Sequence, residues 1–146
     1  MPWALGSLKK DNHDCFRLLR ESDPELKSPC LLLIRDADNH RFGAYLSESL
    51  KPLDKCFGCG ETFVFYLRDD EEPKVYKWSA TDEKSYLFIL CSPEALSVGI
   101  DDGQFAIYLD SALNQGRSQA CKTFESEPLT PSGDFTASQV ELWIFR

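Results

Sequence analysis

The sequence is short of histidine, of basic charge and of long apolar runs, and each shortage narrows what the chain does. Two histidines, His13 and His40, stand among 146 residues, and 16 Lys and Arg face 24 Asp and Glu, a net charge of −8. Nucleic-acid binding draws on a basic surface that displaces counterions from phosphates. Nucleic acid and anionic lipid are therefore excluded as expected ligands. An acidic domain suits a basic protein partner, which its field steers into contact. The longest apolar run, from Cys30 to Ile34, is far too short to cross a bilayer. The N-terminal Met-Pro-Trp-Ala-Leu-Gly turns polar at Lys9 and shows no secretory pattern. The expected location is cytoplasmic, without direct membrane insertion. There the six cysteines, Cys15, Cys30, Cys56, Cys59, Cys91 and Cys121, stay mostly reduced. There is no linker, low-complexity tract or fixed-period repeat, so 1–146 reads as one domain.

What is there favours β-structure. Aromatic residues make up 12% of the chain, and long Ala-rich helical stretches are missing. Residues 30–34 and 41–45, separated by Asp36, Asp38 and Asn39, read as a hairpin, because Asp and Asn side chains bond nearby backbone in tight turns. The unbroken apolar first strand predicts a central strand covered on both faces. Further strands are expected over 61–67, 75–78, 85–90, 96–99, 105–109 and 140–145, with turns at 68–73 and 101–103. Apolar spacing at Cys15, Phe16, Leu18 and Leu19, with Asp11 or Asn12 as cap, predicts a short helix over 12–22 that Asp23-Pro24 ends. Residues 47–53 are expected to make a helical turn. The fold class expected is mainly β (α+β): a two-sheet antiparallel β-sandwich with one or two short flanking helices.

Chemistry-bearing motifs are sparse. Cys56 and Cys59 form a C-x-x-C, which suggests a redox dithiol or half a zinc site. A strand follows it where a thioredoxin-like motif needs a helix, and no second C-x-x-C completes four zinc ligands. Gly58, Gly60 and Glu61 resemble an anion-cradling loop only superficially, since phosphate loops end in Lys-Ser/Thr and enter a helix. Ser118 lacks a Gly-x-Ser-x-Gly elbow, so a hydrolase triad with either histidine is not expected. Asp36, Asp38 and Asn39 lack the Gly and Glu of a calcium loop. No catalytic residue, cofactor or metal is expected.

Several segments together resemble the TLDc domain, found in the oxidation-resistance proteins. Residues 29–45 are similar to its opening hairpin. Phe57-Gly58-Cys59-Gly60-Glu61-Thr62-Phe63 is similar to its Gly-x-Gly-Glu-Thr-Phe signature, and Val75-Tyr76-Lys77-Trp78-Ser79 to its Lys-Trp strand. Phe105-Ala106-Ile107-Tyr108-Leu109-Asp110, Gly116 to Phe124 and Val140 to Phe145 are similar to later blocks, in the family's order. Pro2-Trp3 suits the start of the domain, and the helix that precedes it in the family is expected to be absent. Departures are Ala80 in place of a glycine, the acidic stretch Gly99 to Gln104, and the residues around Asp14 and Cys15.

The resemblance implies a non-catalytic interaction domain linked to oxidative-stress resistance. It implies binding to the cytosolic sector of the vacuolar proton-pumping ATPase and regulation of that enzyme's assembly. The expected partner-binding residues are Asp38, Gly43, Gly58, Gly60, Glu61, Asp101, Asp102, Gly103, Gly116, Arg117 and Ser118. The alternative is a thiol-based antioxidant using Cys56, Cys59 or Cys121. A third reading is a passive folding unit of a larger protein.

Overall fold

A computed structural model describes residues 3–4, 29–50, 55–79, 86–92 and 94–145, with the backbone alone for 3–4 and 144–145. The expected helix over 12–22 lies outside the described residues. Residues 47–50 are non-helical, and the rest of that expected turn lies outside as well. Among the described residues the chain is all β.

Ten strands run in order: β1 (Trp3–Ala4), β2 (Cys30–Asp36), β3 (Arg41–Leu46), β4 (Phe63–Leu67), β5 (Lys74–Lys77), β6 (Ile89–Cys91), β7 (Ala95–Asp101), β8 (Gln104–Asp110), β9 (Gln115–Arg117) and β10 (Asp134–Phe145). Nine of them follow one hydrogen-bonded path, β5-β4-β3-β2-β10-β9-β8-β7-β6, and β1 pairs with β10 beside it. Every pairing is antiparallel. The mainly β, antiparallel part of the expectation is met; the hydrogen bonds make one continuous path, and the two-sheet arrangement is not confirmed by them. The cause is the length of β10. Asp134, Phe135 and Thr136 pair with β9, and from Ala137 onward the same strand pairs with β2.

The change of partner coincides with a bulge. Register shifts between Ala137 and Gln139, and the Ser138 hydroxyl donates to the Arg35 and Asp36 carbonyls at 3.0 and 3.1 Å. An extra residue bends a strand and increases its twist, which lets β10 belong to two neighbourhoods. Residues from both arms of the path then enter one core: Leu32, Ile34, Phe42 and Val64 from one, Ile89, Val98, Ile107 and Leu109 from the other. Phe42 meets Phe135 edge to face at 4.8 Å, a favoured aromatic geometry.

β2 is central, as its apolar run predicts, but it is not equally covered on both faces. Cys30, Leu32, Ile34 and Asp36 are buried, Leu31 and Leu33 are half-buried, and Arg35 is exposed. The β2–β3 hairpin is built on Asp36, a buried carboxylate that accepts from the Asp38 and His40 backbone N–H groups at 3.0 and 2.7 Å. Its other oxygen lies 2.8 Å from His40 Nδ1. This is an Asx turn with the Asp side chain taken inside.

Gly43 sits in mid-β3, opposite Leu33 and Phe65. A Cβ there would overlap the Leu32 carbonyl and press on the Phe65 ring. Gly43→Ala is expected to lower stability by roughly 3 kcal/mol, the upper range for overpacking a filled site. A urea unfolding curve measures it; an unchanged midpoint would contradict this packing.

Candidate functional site

The glycine-rich segment 57–62 is held by three elements. Phe57 and Ile89 exchange backbone hydrogen bonds at 2.9 and 3.1 Å, which ties the segment to β6. The Gly58 N–H donates to the Glu48 carboxylate at 3.0 Å, and the Cys59 N–H donates to Ser47 Oγ at 2.9 Å. The buried Thr62 hydroxyl donates to the same Ser47 oxygen at 3.0 Å. The N–H groups of Phe57, Gly58, Cys59 and Thr62 are thus satisfied by this chain's own oxygens. The loop is a braced structure, and an anion would find those donors taken.

Gly60 allows a close approach. A Cβ on it would run into the six-membered ring of Trp78. Trp78 continues onto Phe88, edge to face at 5.5 Å, and Phe88 packs on Phe124 at 6.3 Å. The Phe88 and Leu87 carbonyls accept from Gly99 and Ile100 at 2.7 and 3.0 Å. This chain of contacts carries the loop to the β7–β8 hairpin. There Asp102 and Gly103 both have positive φ, 51° and 75°, as a two-residue primed turn requires.

The expected contact residues therefore divide. Gly58 and Gly60 connect, through Ile89, Trp78 and Phe88, to Gly99 and Ile100, which lead into the Asp101–Gly103 turn. Asp38 lies in the β2–β3 turn, at the far end of β3 from Ser47. A six-residue strand places these ends ~20 Å apart. Gly43 and Ser118 are buried. The Ser118 hydroxyl donates to the Ala106 carbonyl at 2.6 Å and accepts from the Leu129 N–H at 2.8 Å. Gly116 packs against the Tyr108 backbone and the Phe135 ring. Arg117 is exposed and lies 3.8 Å from exposed Asp134, a pair of small energetic weight.

The thiols also separate. Cys59 is exposed, Cys56 is half-buried, and Cys30, Cys91 and Cys121 are buried. Burial raises the Cys56 thiol pKa, and it pushes Cys30 and Cys91 up from 9.0 to about 12. Among the described residues, one set of ligand-type side chains comes together: Asp36, Asp38 and His40, with ligand atoms within 4.8 Å of one another. Both Asp36 oxygens are engaged in the hairpin.

Sequence reasoning overlooked Ser47 and Glu48, whose partners lie 12 and 10 residues away. It also did not single out Tyr86 or Leu87. A polar pair at the end of a strand, next to a glycine loop, is the signal that was available.

A model of the TLDc domain family matches residues 7–146. The chain is 37% identical over 145 residues to nuclear receptor coactivator 7 of Mus musculus and 36% identical over 145 residues to oxidation resistance protein 1 of Homo sapiens. Each match covers 99% of this chain, and 15% and 16% of the respective relative. The chain thus spans about a sixth of the length of these relatives.

Two outcomes follow from the division of residues. Ser118→Ala leaves a buried carbonyl and a buried N–H unpaired and is expected to cost ~1–3 kcal/mol, whereas Asp102→Lys is expected to stay within ~0.5 kcal/mol; urea unfolding compares them, and equal effects would contradict the burial difference. Among the described cysteines, alkylation in native protein is expected at Cys59 first, with Cys30, Cys91 and Cys121 labelled only on unfolding, as mass spectrometry reads. Burying Cys30 and Cys91 as neutral thiols contributes stability that is complete below pH 9.0 and is lost as pH rises towards about 12.

Proposed function

We propose that this chain, which belongs to the TLDc domain family, is a non-catalytic protein-binding module of oxidative-stress resistance. Its partner is the cytosolic sector of the vacuolar proton-pumping ATPase, whose assembly it regulates in the cytoplasm. The observation that carries the reading is the match to oxidation resistance protein 1 across 99% of this chain. The acidic balance, −8 overall, supports a basic protein partner. Among the described residues, no helix is long and apolar enough to cross a membrane.

The mechanism is a shift between assembly states. A ligand moves an equilibrium only by its differential affinity for the two states, so the module must grip one assembly state more tightly than the other. A rigid frame favours this, because little ordering entropy is lost when preformed loops bind. In this proposal the frame is a two-layer sandwich, the two arms of the path facing each other about β10 with short helices at its flanks. Its contact end carries 57–61 and 101–103.

A thiol enzyme is the second reading, favoured by the exposed Cys59. Cys56 is a poor partner for it, because burial keeps its thiol protonated and the thiolate is the reactive form.

A pull-down of the purified chain with the isolated cytosolic sector, followed by an ATPase assay, tests the adaptor reading. Stoichiometric binding with altered ATPase activity is expected; no binding at micromolar concentration would overturn it. In parallel, the Cys56→Ser/Cys59→Ser/Cys121→Ala variant is expected to match the parent in negligible peroxide consumption. Turnover lost with the cysteines would move the thiol reading to the front.

A further inference from the structure

Three large apolar side chains stand exposed among the described residues: Val75, and the adjacent Tyr86 and Leu87, at 65% and 45% exposure. The Tyr86 ring packs beside Trp78, centroids 5.6 Å apart. The pair is not a loose tip. Phe88, the next residue, is buried and meets Trp78 edge to face, and the Leu87 and Phe88 carbonyls hold Ile100 and Gly99. Those bonds set Leu87 beside the turn that carries Asp101 and Asp102. Trp78 lies on Gly60 and so links Tyr86 to the 57–62 loop.

We propose that Trp78, Tyr86 and Leu87 are the apolar anchor of a docking surface whose occupant is a basic, amphipathic segment of a partner protein. The proposal rests on the adaptor reading and deepens it by giving the chemistry of the segment bound. Its apolar side chains cover Tyr86 and Leu87, and its Lys or Arg residues meet Asp101 and Asp102.

Two physical arguments select this occupant. Tyr and Trp dominate binding hot spots, because they bring large contact area at little conformational cost. Here the rings are already fixed against the core. Charge then chooses among partners. Asp102 is exposed, and neither it nor Asp101 forms an ion pair among the described residues. Among the described residues, Lys122, on the 121–126 turn, is an opposing exposed charge. Lys77 pairs with Phe63, and strand alternation sends its side chain to the opposite face from that of Tyr76. An acidic rim repels anionic lipid. It also repels a second copy of this chain, which presents the same charges.

The test compares parent, Tyr86→Ser/Leu87→Ser, Asp101→Lys/Asp102→Lys and a Val75→Ser control. Each is titrated with two probes: the isolated cytosolic sector of the vacuolar ATPase, and a synthetic Leu/Lys amphipathic helical peptide set against its Leu/Glu counterpart. Urea midpoints check that the variants fold. The Tyr86/Leu87 variant is expected to lose about tenfold or more in affinity for the sector and for the Lys peptide. The Asp101/Asp102 variant is expected to bind more weakly and with less salt dependence, Val75→Ser to bind like the parent, and the Glu peptide not to bind. If the parent ignores the sector but the Lys peptide still separates parent from variant, the ATPase reading fails and the anchor stands. If parent and Tyr86/Leu87 variant behave alike towards both probes, bound or unbound, the anchor is overturned. Concentration-dependent dimerisation of the parent that the same variant abolishes would make the occupant a second copy and overturn the proposal as well.

Discussion

Strand β10 is shared between two sets of neighbours, and the rest of the architecture is arranged around that sharing. Its first three residues pair with β9 and its later residues with β2. The bulge at Ser138, secured by two carbonyls of β2, changes the direction of the strand without breaking the backbone bonding. Buried backbone groups left unpaired at such a junction would each cost on the order of 1–3 kcal/mol. The Ala37 and Ala137 N–H groups are instead taken by Thr136 and Asn114 carbonyls at 2.8 and 2.7 Å. One core can then draw on both arms of the path.

The proposed contact end is built on the same frame. The two arms are stitched by the Phe57–Ile89 exchange and by the aromatic series Trp78, Phe88 and Phe124. Segments that are distant in sequence are therefore linked through one core. Glycines at 58 and 60 serve close packing against Ile89 and Trp78, so a loop that looks permissive by composition is braced. Rigid loops on a shared core bind with little ordering cost, which is what an adaptor that biases an assembly equilibrium needs.

Much of this was legible from local pattern. The Asp36–Asn39 turn, the strands expected over 30–34, 61–67 and 105–109, and the Asp101–Gly103 turn all announce themselves through short runs of apolar and aromatic residues between turn residues. The unread parts depend on partners far along the chain. β9 is three residues with a central glycine, too short and too polar for a strand signal, and it exists because β8 and β10 flank it. The first half of β10, Asp134 to Gln139, is polar at alternate positions and follows a Pro-Ser-Gly turn, so it reads as loop until β9 and β2 supply the ladder. Ser118 shows the same limit at the site. Its type suggests a surface residue, and only the fold reveals a buried hydroxyl that joins Ala106 to Leu129.

The most direct measurement is hydrogen–deuterium exchange of the chain alone and with the isolated cytosolic sector of the vacuolar ATPase. The account predicts slowed exchange at 57–61, 86–88 and 99–103 in the complex, and unchanged exchange at the 36–40 turn on the opposite end of β3. Protection at 36–40 with none at 57–61 and 99–103 would contradict it.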